Sequence, residues 1–359
     1  MHNELPSYDQ APAGAIRFNT DSNKLEVYIG GPVGYGTLPN GQWMQVDNWS
    51  PENQTGGTRG IFAGGVFPTP SASNIIQYVN IDSTGNAIDF GDLLTGRRGG
   101  AGCASRTRGI HAGGRETPTP GTSVRVSKID FITIASTGNG QNFGNLSQAR
   151  ESLYGCSSET RGIFAGGYTP TQVDTIDYIT IASDGVTAQD FGNLTDTRRD
   201  GTACASSTRG LFVGGYKTSP TMLNTIEFVT ISTLGNSADF GDLTAARRLL
   251  GGASNSIRGL FAGGGPEGGP FNTIDYVSIP TLGNAIDFGD LTVARREVGA
   301  ASSPTRMVIA QGANPSNTDV NIIDYVQIMS TGNAVDFGDT IDSKVGGLTA
   351  TFSNGHGGL

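Results

Sequence analysis

The stretch Arg258-Gly259-Leu260-Phe261-Ala262-Gly263-Gly264 decides the fold, because this chain of 359 residues repeats it with small changes. The arginine that opens each copy recurs at intervals of 48 to 53 residues. These repeat arginines are Arg59, Arg108, Arg161, Arg209, Arg258 and Arg306. A repeat of about 40 to 50 residues is typical of arrays in which each unit is one supersecondary element. We therefore expect six similar structural units.

Each copy continues with short β-type segments in a fixed order. A loop rich in Pro, Ser and Thr precedes a run such as Ile-Asp-Tyr-Val-Ser-Ile at 274–279. A Gly-Asn turn, the run Asp-Phe-Gly-Asp-Leu at 287–291, an Arg-Arg pair and a small-residue run follow. Short runs rich in Ile, Val, Tyr, Phe and Thr between Gly, Asn and Pro are typical of strands. Four strands per unit predict an all-β chain that folds as a six-bladed β-propeller with four-stranded blades.

The two ends of the repeat region are complementary. The first copy lacks the small-residue run that precedes the other repeat arginines, and the segment 48–54 stands there instead. The missing run is present near the other end of the sequence, at 344–353. We therefore predict that the C-terminal strand completes blade one, which closes the ring and leaves no open edge between the first and last blades.

The repeat resembles the kelch repeat over residues 58 to 359. The resemblance rests on the order of an arginine, an apolar strand that ends in Gly-Gly, a strand with tyrosine, and a strand with an aromatic residue. Two features depart from the kelch pattern: the last copy has Gln311-Gly312 in place of Gly-Gly, and phenylalanine replaces the kelch tryptophan. These phenylalanines are Phe90, Phe143, Phe191, Phe240, Phe288 and Phe337. The resemblance implies the fold rather than a function, because propellers host unrelated activities.

Residues 1–49 differ from the repeat region at 50–359 and are predicted to form a separate small β-hairpin module. The segments 15–19 and 24–29 read as a hairpin, and 42–46 as a third strand. This stretch resembles small modules common in structural proteins of tailed phages. The resemblance implies an anchoring or oligomerisation role, and an ordinary N-terminal β-appendage is the alternative. The predicted anchoring residues are Ile16, Phe18, Leu25, Val27, Tyr28 and Trp43.

The overall composition excludes several classes of partner. The net charge is −9, which argues against proteins that track nucleic-acid phosphates or dock on anionic membranes. No apolar run approaches the 18 residues or so of a membrane span, so no membrane insertion is expected. Cys103, Cys156 and Cys204 each lie five residues before a repeat arginine, which predicts small buried residues of the innermost strand rather than metal ligands.

Catalytic chemistry has little support in the sequence. The histidines are His2, His111 and His356, too few and too scattered for a nucleophilic triad or a copper site. A glycosidase needs only two carboxylates, but the Asp-box repeat of sialidase propellers is missing. We therefore expect a protein that is not an enzyme and that uses no cofactor and no metal.

Arginine and aspartate recur once per blade, which favours a structural role. The repeat arginines, the Arg-Arg pairs and Asp92, Asp242, Asp290 and Asp339 are predicted to form interblade ion pairs or backbone hydrogen bonds. Asn145 and Asn193 stand at the same place as these aspartates, so the bond does not need a charge. The alternative is a ring of arginines at one mouth of the central channel that holds an anionic sugar or phosphate.

The loops after each Gly-Gly vary within a nearly constant frame. We predict that they lie on the same face as the Arg-Arg turns and carry recognition, although unconstrained surface loops also drift. The predicted ligand-contact residues are Arg115, Arg125, Lys128, Tyr168, Tyr216, Lys217, Glu267 and Phe271. The Gly-Asn turns of the opposite face suit a repeated structural role.

Together these features favour a non-enzymatic structural protein of a tailed-phage virion, assembled in the host cytoplasm. Tail-fibre or receptor-binding and capsid-decoration positions both stay open. The expected partners are other virion proteins through residues 1–49 and a host-surface glycan or protein receptor, with the chain a homo-oligomer in an assembly. The alternatives are a cellular kelch-like protein-interaction adaptor and, less favoured, a glycan hydrolase.

Overall fold

The computed structural model describes residues 15–19, 24–29, 42–45, 57–66, 71–119, 121–183, 185–218, 221–266, 269–341 and 349–359. The chain divides into two compact units, Met1–Asn53 and Gln54–Leu359.

The first unit contains a three-stranded antiparallel sheet. Its strands are Ile16–Asn19, Lys24–Ile29 and Gln42–Gln45, with the second in the centre. The side chain of Tyr28 is buried and that of Ile16 is exposed, while Val27 is half-buried. The side chains of Phe18, Leu25 and Trp43 lie outside the described residues. The anchoring role of this sheet stays a prediction.

The second unit is a six-bladed propeller of four-stranded antiparallel blades, counted over its described residues. The strands of each blade are given from the central channel outwards, as inner, second, third and outer strand. Blade 1 contains Ala350–Ser353, Arg59–Ala63, Ile75–Asn80 and Ile88–Asp92. Blade 2 contains Ala101–Ala104, Arg108–Ala112, Lys128–Thr133 and Gln141–Asn145. Blade 3 contains Tyr154–Ser157, Arg161–Ala165, Thr175–Thr180 and Gln189–Asn193.

The remaining blades keep the same pattern. Blade 4 contains Thr202–Ala205, Arg209–Tyr216, Met222–Thr230 and Ala238–Asp242. Blade 5 contains Gly251–Ser254, Arg258–Ala262, Thr273–Ser278 and Ile286–Asp290. Blade 6 contains Gly299–Ser302, Arg306–Ala310, Ile322–Gln327 and Val335–Asp339. Three two-residue strands, Arg115–Glu116, Val124–Arg125 and Val186–Thr187, lie between these elements.

The ring closes as the sequence predicts. The strand Ala350–Ser353 pairs antiparallel with Arg59–Ala63, so that Ala350 lies opposite Ala63 and Ser353 opposite Gly60. The all-β class, the six four-stranded blades and the C-terminal closing strand are therefore confirmed.

The phenylalanine of each outer strand fills the core beside an aromatic residue of the third strand. All six of these phenylalanines are buried. Each meets its partner edge to face, with ring centroids 5.9 to 6.3 Å apart. The pairs are Tyr78–Phe90, Phe131–Phe143, Tyr178–Phe191, Phe228–Phe240, Tyr276–Phe288 and Tyr325–Phe337. Phenylalanine thus supplies the aromatic contact without the indole N–H, which would need a buried hydrogen-bond partner.

Each repeat arginine joins its blade to the next. Its guanidinium lies over the third-strand aromatic ring of its own blade, as Arg59 does over Tyr78 at 4.7 Å. Its Nη1 donates to a carbonyl of the following blade, from Arg59 to Ile134 at 2.6 Å and from Arg161 to Ile231 at 2.6 Å. In blade 6 the Nη1 of Arg306 donates to the backbone carbonyl of Asp82 in blade 1 at 3.0 Å. The interface between the last and the first blade therefore uses the same kind of bond as the others.

The first arginine of each Arg-Arg pair, and Arg150 at the equivalent position of blade 3, is buried in an ion pair. The acids that pair with it come from the third strand, whereas the aspartates at the end of the outer strand take the other predicted role, that of interblade backbone hydrogen bonds. Among the described side chains these pairs are Arg97–Asp130, Arg150–Asp177, Arg198–Glu227, Arg247–Asp275 and Arg295–Asp324. Blade 1 departs from this pattern, since buried Gln77 replaces the acid.

The outer-strand aspartates instead use their backbone between blades. The N–H groups of Asp92, Asp242, Asp290 and Asp339 donate to the Oδ1 of an asparagine in the next blade, at 3.0 to 3.1 Å. Asn193 makes the same bond, which explains why this position does not require a charge. At Asn145 the neighbouring turn has no asparagine, and a short parallel pairing with Thr187 replaces the bond.

The cysteines pack against glycines of the next blade. Cys103 and Cys204 are buried in inner strands, and a Cβ on Gly162 would meet the Cys103 sulfur at 2.7 Å. The pair Cys204 and Gly259 repeats this contact at 2.8 Å. The cysteine of an inner strand therefore fits because the facing residue, on the second strand of the next blade, is a glycine without a side chain.

This packing predicts a non-additive pair of substitutions. Gly162→Ala is expected to lower the free energy of unfolding by about 1–3 kcal/mol, because the new methyl group overlaps the Cys103 sulfur. The cost should shrink in a Cys103→Ala background, since the sulfur is then gone. Urea unfolding of the two single variants and the double variant measures this coupling. Equal costs of Gly162→Ala in both backgrounds would contradict the contact.

His111 makes the fold sensitive to acid. It occupies the position that is Phe164 in blade 3 and Phe212 in blade 4, and it is buried. Burial, assisted by the Arg97 guanidinium, lowers the pKa of His111 well below its usual range. The unfolded chain binds a proton near pH 6.5 while the folded chain does not, so this residue removes stability as the pH falls below that value.

His111→Phe is therefore expected to stabilise the protein more at pH 5 than at pH 8. The free energy of unfolding in urea at both pH values, for wild type and variant, gives the comparison. A difference between the two proteins that does not change with pH would show that folding leaves the pKa of His111 unchanged.

Candidate binding surface on the propeller

In blades 2 to 6 the variable loop is hydrogen-bonded to the turn that leads into its blade. Arg98 and Arg115 exchange backbone bonds at 3.1 and 2.8 Å, as do Arg199 and Tyr216. The loops after Gly-Gly and the Arg-Arg turns therefore lie on one side of the ring, as the sequence predicts. We call this side the loop face.

A series of backbone bonds links the entries to blades 2 to 6 around the channel mouth on the loop face. In each of blades 2 to 6, the residue two positions before the inner strand has a positive φ of 57 to 63°. The N–H of Ser152 donates to Gly99, that of Asp200 to Ser152, and that of Leu249 to Asp200, at 2.6 to 3.1 Å. Glu297 continues the series by donating to Leu249 at 2.7 Å. Because only backbone atoms make these bonds, the side chains at the mouth are free to vary.

The channel behind this mouth is narrow. It encloses a cavity of about 100 Å³ lined mainly by small residues of the inner strands, with Asp200 and Glu297 at its rim. Burial raises the pKa of Glu297, while Arg296 opposes that shift. At the opposite side, residues 354–359 cover the channel, with the His356 ring 3.1 Å from the carbonyl oxygen of Ala104.

A row of alternating arginine and tyrosine side chains crosses the loop face from blade 2 to blade 5. The guanidinium carbons of Arg125 and Arg199 both lie 4.5 Å from the ring centroid of Tyr168. Arg199 also lies 5.5 Å from the Tyr216 ring, and Arg248 lies 4.9 Å from it. We call these five residues the Arg–Tyr stack. Cation–π contacts of this kind hold guanidinium groups in place without consuming their N–H donors.

Two carboxylates accompany the Arg–Tyr stack. Glu151 receives a hydrogen bond of 2.9 Å from Arg125 Nε and lies 3.6 Å from Arg115. Asp200 lies 3.5 Å from Arg199 and 3.6 Å from Arg248. Glu151 replaces the second arginine of the Arg-Arg pattern, because the sequence there is Arg150-Glu151.

The structure brings some of the predicted contact residues together and separates others. Arg115, Arg125, Tyr168 and Tyr216 belong to or border the Arg–Tyr stack. Lys128 pairs with Glu116 at 2.7 Å and Lys217 with Asp196 at 2.6 Å, both towards the outside of their blades. Phe271 lies apart in blade 5, where its backbone bonds to Gly264. Glu267 lies outside the described residues.

Sequence reasoning missed Arg199, Arg248, Glu151 and Asp200. The sequence pattern predicts one structural role for both residues of each Arg-Arg pair, whereas in the structure the first is buried and the second lies on the loop face. Variation between the repeats is the sequence signal that these positions are not purely structural. The position after the first arginine changes to Glu151 in blade 3. The position after that differs in each of blades 2 to 6, as Gly99, Ser152, Asp200, Leu249 and Glu297.

Comparisons with known proteins add no relative. In the described part of the chain, no group of three or more histidine, cysteine, aspartate or glutamate side chains is placed to hold a metal ion. No helix among the described residues has the length and apolar character needed to cross a bilayer. A scan against models of known protein families and a search of curated proteins both found no match for this chain.

Proposed function

We propose that this protein is a non-enzymatic structural component of a tailed-phage particle whose propeller binds a partner through its loop face. One observation carries the proposal: the Arg–Tyr stack connects the variable loops of blades 2 to 4 on a closed ring. Recognition residues are usually found on loops that a rigid scaffold positions. The partner is a host-surface glycan or receptor, or a neighbouring virion protein.

The particle itself enters the proposal through residues 1–49. Their likeness to small modules of tailed-phage structural proteins supports attachment through that unit, with the propeller left to bind. The chain divides at Asn53 into two compact units, so the proposed attachment and the proposed binding belong to different units. The kelch-like character of the repeat is part of the same proposal.

The test compares the full chain with a fragment that begins at residue 50. We expect the full chain to be incorporated into particles and to be oligomeric by light scattering. The fragment should keep the β-rich circular dichroism spectrum of the propeller, remain monomeric and be absent from particles. Normal incorporation of the fragment would refute attachment through residues 1–49. Two monomeric proteins would instead favour the adaptor alternative.

A further inference from the structure

The Arg–Tyr stack has hydrogen-bond donors that the protein does not use. The Arg199 side chain makes no hydrogen bond to any described residue, and the nearest carboxylate oxygen, on Asp200, lies 3.5 Å from its buried Nε. Arg125 donates from Nε to Glu151, and its two terminal nitrogens have no described acceptor. Both side chains are about a quarter exposed, at 26% for Arg199 and 28% for Arg125. Both guanidinium-bearing side chains are therefore held in place and partly accessible to solvent.

We propose that these guanidinium groups bind the carboxylate or phosphate groups of an acidic polysaccharide, an inference that rests on the proposed binding role of the loop face. A guanidinium presents paired N–H donors that match the two oxygens of a carboxylate or phosphate. Stacking on both faces of Tyr168 fixes Arg125 and Arg199 before the ligand arrives. These side chains lose most of their conformational freedom when the protein folds, so ligand binding has less entropy to overcome.

The local charge favours an anionic ligand in spite of the acidic chain. The whole protein has a net charge of −9. At the end of the stack in blades 2 and 3, two described arginines share one carboxylate, since Arg115 and Arg125 both lie near Glu151. The described charge of that end is therefore positive. Such a patch selects an anion by contact, because the surrounding negative charge opposes long-range attraction of polyanions.

The surroundings favour a polysaccharide over an acidic peptide. Arginines lie over the Tyr168 and Tyr216 rings, so neither aromatic ring is free to pack an apolar side chain. Val124 precedes Arg125 in blade 2 and is an exposed apolar side chain, whereas Val186 and Leu234 of blades 3 and 4 lie on the opposite face. Peptide interfaces depend on clusters of buried aromatic and apolar anchors, and one valine does not form such a cluster.

Hydroxyl groups surround the stack instead. The exposed loop residues beside Tyr168 and Tyr216 include Thr171, Thr218 and Thr221. Threonine hydroxyls both donate and accept, which suits the hydroxyl groups of sugars. The combination of fixed cations and neutral hydroxyls matches a polymer in which anionic groups alternate with hydroxyl-bearing rings.

Calorimetric titration of the full chain tests this proposal with four polymers. Polygalacturonate supplies carboxylates, poly(glycerol phosphate) supplies phosphates, dextran is the neutral polysaccharide, and poly-L-glutamate is the acidic peptide. We expect binding to at least one of the first two, weakened by added salt, and no comparable binding to dextran or poly-L-glutamate. The first two polymers distinguish the carboxylate from the phosphate source.

The decisive variant is Arg199→Gln, and Arg106→Gln is its matched control. Arg106 is 25% exposed, close to the value for Arg199, and lies in a turn of the opposite face beside Glu159. Arg199→Gln should weaken binding about tenfold or more, as loss of a charged hydrogen bond does, and Arg106→Gln should leave it unchanged. Arg199→Lys keeps the charge without the paired donors and should weaken binding to an intermediate degree. Melting temperatures confirm that each variant is folded.

Several results would overturn the inference. Equal affinity for dextran would show that charge is not recognised, and tighter binding of poly-L-glutamate would make the partner an acidic peptide. Absence of binding to both acidic polysaccharides, or equal weakening by Arg199→Gln and Arg106→Gln, would also refute it. None of these results bears on the proposed attachment through residues 1–49, because the particle-incorporation experiment tests that proposal separately.

Discussion

Replacing Asp275 by alanine is expected to lower the free energy of unfolding by about 3–5 kcal/mol. Asp275 and its partner Arg247 are fully buried, with 2.8 Å between Arg247 Nη2 and Asp275 Oδ2. The carboxylate also accepts from the Thr244 hydroxyl at 2.8 Å. The substitution leaves a guanidinium in the core without its counter-charge, and the desolvation cost of that group is then uncompensated. Urea unfolding monitored by circular dichroism measures the loss.

The chain offers a matched control for this prediction. Asp287 lies directly opposite Asp275 on the outer strand but is exposed to solvent. Asp287→Ala removes the same charge from the same blade and should change stability by less than about 0.5 kcal/mol. Comparable losses for the two variants would mean that burial of the Arg247–Asp275 pair is not what makes Asp275 important.

Removal of residues 349–359 is expected to abolish cooperative folding. The deletion takes away the inner strand of blade 1 and leaves Arg59–Ala63 as an unpaired edge at the channel. It also removes the Phe352 ring, which is buried and lies where a Cβ on Gly109 of blade 2 would be. Loss of a buried phenylalanine alone costs about 3–5 kcal/mol, a large part of the stability of a typical domain. Thermal melts and size-exclusion chromatography provide the readout.

A shorter deletion serves as its control. Removal of residues 355–359 uncovers the channel but keeps the strand Ala350–Ser353 and its pairing. That protein should still melt in one transition, at a lower temperature than the full chain. A single sharp transition in the longer deletion would show that the ring does not need its closing strand.

The sequence was sufficient for the fold because the repeat imposes the same constraint in every blade. The six copies of one strand pattern define the number of blades. The inner strand that the first copy lacks is present at 344–353, and this defines how the ring closes. The ion-pair partners were harder to assign. Asp275 and Asp290 are both aspartates of one blade, and only strand register shows that Asp275 faces inward.

The loop face was predictable in position but not in content. Its location follows from the order of Gly-Gly and Arg-Arg in the repeat. The Arg–Tyr stack forms between residues from neighbouring blades, such as Arg125, Tyr168 and Arg199, about 30 to 40 positions apart in sequence. Such contacts depend on side-chain directions and on the distance between blades, which a strand pattern does not contain.

The position of the strand Arg59–Ala63 has a mechanical consequence. This strand receives the chain that arrives from the first unit, and it lies between Ala350–Ser353 and Ile75–Asn80 rather than at an edge. Its first N–H also donates to Asn354 at 3.0 Å. Antiparallel ladder bonds run across the strand, so a pull along it loads the bonds on both sides in shear, and they must break together. A protein that is held at residues 1–49 and pulled at its loop face would therefore resist tension with two ladders at once.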